Sequence, residues 1–214
     1  MIRSGTVKQA NRFSGQWAFV DVGFSEKSKS CGFLQDDGHP EMLLFTDLQD
    51  RLRSIAKADK KPLNLLLEAP LSVAFNSAGN PTGRSIERRK KQSRFWYVGL
   101  GCSVLVAATY LLRTVQDAGP QRDIRLFEGL VSFKPRGISS NHAADVLLLR
   151  KVVWEPDSGL GCIVSANQLA TSPEDRLQSA FLVAGMDFGI PPVIAIGVQR
   201  QAPPNAAGIR RSHR

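Results

Sequence analysis

Short apolar runs closed by Gly, Pro or Asp alternate along this chain with stretches whose apolar positions recur every three or four residues, the pattern of strands interleaved with helices. Residues 17–24, W-A-F-V-D-V-G-F, predict a first strand. Residues 30–35 predict a second, with Asp36-Asp37-Gly38 as its turn, and 41–46 a short third, giving an antiparallel meander. A helix capped by Thr46 or Asp47 runs through Ala58, with Leu48, Leu52, Ile55 and Ala56 sharing one face. The leucine run at 63–68 predicts a fourth strand, parallel to the first. After a polar loop at 76–84, a helix is expected from Ser85 through R-R-K-K at 88–91, ahead of the uncharged run 95–112. A loop at 116–121 leads to a fifth strand at 124–128, then to a helix from Ser139 or Ser140 through Val153. The glycine-rich stretch 155–165 is expected to be weakly structured. Thr171-Ser172-Pro173-Glu174 reads as a helix start, with a hydroxyl cap, a proline in the first turn and acids at the positive end, and it places Asp175 in that turn. V-I-A-I at 193–196 predicts a last short strand.

At 214 residues and 43% apolar content, the chain supports one domain with a real core, expected over 16–198. A flexible basic arm at 1–15 and a disordered basic tail at 199–214 flank it. The formal charge of +9 favours a polyanionic partner, nucleic acid, over a merely basic surface. Cys31, Cys102 and Cys162 lack C-x-x-C spacing, so neither a disulfide framework nor a zinc site is expected, and a cytoplasmic setting is the default. Residues 1–16 lack the apolar core of a secretory signal. The run 95–112 admits two readings: a membrane span with a basic flank, or a helix buried in an α/β domain. In the second, Gly99, Gly101, Ser103, Ala107 and Ala108 allow close approach to a sheet. Acid-ended strands on both sides, which would form one site, favour it.

Those acids are the candidate chemistry. Asp21, Glu68 and Glu128 each end or interrupt an apolar strand, and Asp175 joins them from a helix start. A carboxylate at a strand end is costly inside a core and useful facing a cleft. Magnesium and manganese prefer hard oxygen donors, and two such ions can share a bridging carboxylate. Asp21 is the expected bridging ligand, Glu68 orients a second ion and Asp175 completes the set. In phosphodiester hydrolysis one ion activates water while the other steadies the leaving oxygen. Plainer readings make Glu68 a strand-end ion-pair partner and Asp175 a helix-start acid; Asp21, inside an apolar run, is harder to explain so. His142 and Asp145, in N-H-A-A-D, read either as a general base with its orienter or as polar residues at a helix start. Arg84, Arg88, Arg89, Lys90, Lys91 and Arg94 crowd one segment and would hold nucleic-acid phosphates, unless they form only a solvated face. G-N-P-T-G at 79–83 lacks the G-K-[ST] ending of a P-loop, and no clustered histidines support zinc.

The order β-β-β-α-β-α-β-α, with acids at the ends of strands one and four and on the last helix, resembles the ribonuclease H-like fold. Within that superfamily the chain is most similar to a group of uncharacterised predicted nucleases of bacteria and archaea. The resemblance is carried by V-D-V-G (20–23), L-E-A-P-L-S (67–72), G-R-S-I-E (83–87), L-F-E-G-L-V-S-F (126–133) and E-D-R-L-Q-S-A-F (174–181), and spans 16–198. It implies an α/β fold with a mixed five-stranded sheet flanked by helices. It also implies Asp21, Glu68 and Asp175 as catalytic ligands of Mg2+ or Mn2+, with Arg84 and Glu128 lining the same cleft. The implied activity is two-metal hydrolysis of DNA or RNA. The first strand lacks the G-x-D-G form, Gly129 follows Glu128 directly, and Arg176 stands in place of a second acid. The rival expectations are therefore an inactive nucleic-acid-binding or regulatory protein of the same fold, and a membrane-associated protein anchored through 95–112.

Overall fold

A computed structural model describes residues 1–25, 28–58, 61–89, 91–134, 137 and 141–198. In chain order the first elements are β1 (Ile2–Ser4), β2 (Gln16–Asp21), β3 (Cys31–Gln35), β4 (Glu41–Leu43), α1 (Phe45–Ala58), β5 (Leu63–Glu68), β6 (Ser72–Phe75) and β7 (Pro81–Thr82). There follow β8 (Arg88–Arg89), β9 (Gln92–Ser93), α2 (Leu100–Asp117), β10 (Ile124–Leu130), α3 (His142–Trp154), β11 (Gly161–Val164), β12 (Arg176–Ser179) and β13 (Val193–Ile196).

The main sheet is mixed, in the order β11-β13-β10-β5-β2-β3-β4, with β1 also paired to β10. β2, β3 and β4 form the antiparallel meander. On its other side β2 pairs in parallel with β5, β5 with β10, and β10 with β13. β5 sits in the middle because its apolar run fits burial on both faces. One face packs Ala18, Val20, Leu65 and Leu67 against α1 and α2. The other packs Trp17, Phe19, Leu66 and Phe127 against α3. The protein is thus an α/β domain, and the buried face of α1 is the expected one, Leu48, Leu52, Ile55 and Ala56.

Eight strands, rather than five, make up this sheet among the described residues. The edge of β10 is covered end to end, by β1 along Ile124–Leu126 and by β13 along Glu128–Leu130. That arrangement pairs backbone groups which an exposed edge would leave open. Residues 1–15 are therefore not a loose arm: β1 is in the sheet, and the Arg3 guanidinium donates to both Asp123 oxygens at 3.0 and 2.8 Å. The glycine-rich stretch expected to be weakly structured contains β11, antiparallel to β13.

Two expected helices are absent. From Ser85 the chain makes a single 3-10 turn, then the β8–β9 hairpin. Glu87 holds the turn instead, accepting from the Arg84 amide and guanidinium and from the Trp96 amide. After Pro173 the chain turns into β12, which pairs antiparallel with β6. The uncharged run does become helical, but from Leu100 onward, and among the described residues no helix is long and apolar enough to cross a membrane. α3 starts at His142, capped by the Asn141 side chain accepting from the Ala144 N–H at 2.7 Å. The caps expected at Ser139 or Ser140, Lys90 of the basic run, and the tail from 199 lie outside the described residues.

Candidate functional site

Strand register selects which acids meet. Asp21 and Glu68 are direct partners in the parallel pairing of β2 with β5, so their side chains leave the same face. That face is the one carrying Trp17, Phe19 and Leu66, against α3. Asp145, in the first turn of α3, comes down on the two strand ends from above. Glu128 is paired with Leu67, one residue out of step, and therefore projects toward the side of α1 and α2. All four acids line one cleft of about 760 Å3 at the carboxyl ends of the parallel strands.

On the α3 side, the carboxylates and a histidine crowd together. Burial first, and the Asp21 charge second, push the Glu68 carboxyl up to about 8, against the pull of the Val131 N–H; Asp145 and Glu128 add to the rise. The Val131 amide donates to Glu68 Oε1 at 3.4 Å. Asp145 is also held above the usual carboxylate range, by burial first, while Lys134 pulls it down and Asp21 pushes it up. The Lys134 ammonium donates to both Asp145 oxygens at 2.6 Å. His142 Nδ1 approaches Asp21 Oδ2 to 3.0 Å. Among the described residues both atoms are buried and make no other hydrogen bond, and hydrogen bonding to Asp21 comes ahead of its charge in what it does to the imidazole. The Asp21 carboxylate raises the His142 pKa, against burial. His142 thus leans on Asp21, not on Asp145 as its spacing suggested.

The second half of the cleft floor is a buried ion network. Arg84 is only 1% exposed and donates to Glu87 Oε1 from Nε and Nη2, and to Glu128 Oε2 and the Ser72 hydroxyl from Nη1, all within 2.8 to 3.0 Å. Glu128 Oε2 also accepts the Leu71 N–H at 2.8 Å, fixing the turn that follows β5. Burial works against the Arg84 charge, but Glu128 and Glu87 outweigh it and hold its pKa up. Arg84 is therefore a structural cation, not a phosphate-binding one.

Asp175 is not in this cleft. Its Oδ2 accepts the Thr171 and Ser172 amides at 3.0 and 2.8 Å, closing a local turn that competes with the helix. Arg88, Lys91 and Arg94 are exposed on or beside the β8–β9 hairpin, Arg88 over the Phe95 ring. Arg89, also exposed, donates to the Phe133 carbonyl at 2.8 Å. Lys134, central here, carries no pattern that marks it in the sequence, and Glu87 is marked only as the end of G-R-S-I-E. Asp145 has one: it lies one turn into a capped helix beside a histidine.

Two glycines make room for His142. A Cβ on Gly23 would overlap the Ser30 carbonyl oxygen and His142 Nε2, and one on Gly32 would overlap the His142 carbonyl. Gly23→Ala is expected to cost about 1–3 kcal/mol through overpacking. It should also push the imidazole off Asp21, so that the His142 pKa, followed by NMR, falls toward its ordinary value. An unchanged titration would show that the contact does not depend on this close approach.

Among the described residues, no three His, Cys, Asp or Glu side chains stand already grouped for metal binding. The donor chemistry nonetheless fits a hard divalent cation: Asp21 Oδ2 is buried with no hydrogen-bond partner beyond the His142 contact, and its charge raises the Glu68 and Asp145 carboxyls. Comparison of the chain with protein-family models, curated proteins and solved structures finds no match in any of the three.

Proposed function

We propose that this protein is a divalent-metal-dependent nuclease of ribonuclease H-like fold, hydrolysing phosphodiester bonds of DNA or RNA. The observation that carries the reading is the parallel pairing of Asp21 with Glu68 beneath Asp145, three carboxylates on one face of the sheet at its strand ends. The order from β2 to α3, leaving out the small strands β6 to β9, supports the fold: three antiparallel strands, a helix, a parallel strand, a helix, a parallel strand and a closing helix. In this reading the acid on the closing helix is Asp145, in place of Asp175.

Asp21, Glu68 and Asp145 would hold magnesium or manganese, which when bound supplies an activated water and charge neutralisation at the leaving oxygen. His142 Nδ1 faces Asp21 and orients its carboxylate. The Arg84–Glu128 pair holds the Leu71 amide, which keeps the end of β5, and Glu68 with it, in place. Cleavage of labelled single-stranded, duplex and hybrid DNA and RNA, with magnesium or manganese, tests the reading. The expected result is metal-dependent cutting by the natural chain and none by Asp21→Asn. Equal cutting by both, or none by either, overturns it.

One contact favours a second reading, a nucleic-acid-binding protein that does not hydrolyse. Lys134 already neutralises Asp145, as a bound cation would. Calorimetric titration with manganese separates the two, since in the second reading no saturable heat appears.

A further inference from the structure

Beside the acids the cleft has an apolar and aromatic lining that is exposed in part. Val98 and Leu100 both line the cleft and are 57% and 76% exposed. Beside them Phe95 stacks on Tyr97, with ring centroids 5.4 Å apart and planes 7° from parallel. The Arg88 guanidinium lies 5.1 Å from the Phe95 centroid, extending this platform. Gly83 lets Phe95 settle, since a Cβ there would overlap its ring. Trp96 is pinned by its indole N–H on the Thr82 carbonyl at 3.0 Å and by its amide on Glu87 Oε1 at 3.0 Å. The platform is therefore fixed to the same Glu87 that anchors Arg84.

The cations around the cleft are distributed in a way that selects a substrate. Of the lining Lys and Arg side chains, Arg84 and Lys134 are paired with acids at 2.8 and 2.6 Å. Arg94, also lining, is exposed at the rim, with Arg88 and Lys91 on the same hairpin. A duplex presents two rows of phosphates and asks for cations on both sides of its groove. One basic edge adjoining an aromatic wall, with Arg88 against the Phe95 ring, is instead the arrangement that tracks one backbone and stacks its bases.

We infer that the cleft takes single-stranded nucleic acid. Bases lie against Phe95, Val98 and Leu100, and the backbone runs from the Arg88–Arg94 rim toward the acids. This rests on the nuclease reading for what the acids do to the strand, but its test is binding. A labelled oligothymidylate of about 12 nucleotides and a hairpin duplex of equal length are titrated with the full chain in calcium, by fluorescence anisotropy. The single strand is expected to bind at least about tenfold more tightly. Phe95→Ala should weaken it by between about five- and a hundredfold, the usual loss for one stacked base. Leu100→Ser, at an exposed position that cannot disturb the core, should weaken it in the same sense. Binding of the duplex as tight as of the single strand, absence of binding to either, or no effect of both substitutions in natively folded protein overturns the inference. A single-strand preference lost in Phe95→Ala without any cleavage would sink hydrolysis and leave this inference standing. Metal-dependent cutting of duplex, abolished by Asp21→Asn, with no single-strand preference would do the reverse.

Discussion

Arg84→Met is expected to destabilise the fold by about 3–5 kcal/mol, the usual cost of removing one partner from a buried ion pair. Arg84 answers two carboxylates at once, and Glu87 and Glu128 are each 1% exposed. Without the guanidinium both would have to take up protons or remain as unpaired charges in a dry pocket. Burial already holds Glu87 above its ordinary pKa even with Arg84 pulling it down. Arg84→Lys should recover only part of the loss, because an ammonium cannot reproduce the fork that reaches Glu87, Glu128 and Ser72 together. Combining Arg84→Met with Glu87→Gln and Glu128→Gln should restore most of it, since no charge is then left buried. Urea unfolding measures all three. A loss below about 1 kcal/mol, in the range of exposed ion pairs, would mean that the network is open to solvent.

The second large effect is on pH. Three groups around Asp21 bind protons more tightly folded than unfolded: Glu68, held at about 8, Asp145 and His142. A raised folded-state pKa contributes stability that is fully present below the unfolded value and is lost as pH rises through the folded one. For Glu68 that window runs from the ordinary glutamate range, about 4.3, to about 8. Asp145 and His142 act in the same sense. In chelator the melting temperature should therefore fall between mild acid and pH 8, by an amount on the order of a few kcal/mol in unfolding free energy. Manganese at pH 8 should restore it, because a bound cation stabilises the native state by mass action and answers the same charge. Glu68→Gln should flatten the profile and weaken the manganese effect. A melting temperature that rises with pH in chelator would contradict the crowding of these carboxyls. Loss of stability at pH 8 that manganese does not repair would deny them a role as its ligands.

The α/β class, the meander, α1 with its buried stripe, and the parallel leucine strand were all legible along the chain, because each depends on a local period and a local turn. Leu48, Leu52, Ile55 and Ala56 recur at helical spacing and are buried for that reason. Asp21 and Glu68 stood out because a carboxylate in or at the end of an apolar run has few inexpensive places to go.

What local pattern could not decide was which acids share a face and which helix starts succeed. Whether Glu128 joins Asp21 and Glu68 depends on the register between β10 and β5, and a one-residue step sends it to Arg84 on the other side. T-S-P-E-D and N-H-A-A-D carry similar helix-start signals. The first yields because Asp175 bonds its own turn and β6 takes 176–179 as a partner strand, while the second holds because α3 buries Val146, Leu149, Val152 and Val153 against the sheet. The sequence by itself therefore determined the meander, the parallel strands β5 and β10, the first helix and two of the carboxylates, through periodicity and the cost of burying charge. The tertiary structure alone decided that Asp145 rather than Asp175 lines the cleft with Asp21 and Glu68 and that Arg84 is a buried counterion, because strand register and competition for a sheet edge are contacts between residues far apart in the chain.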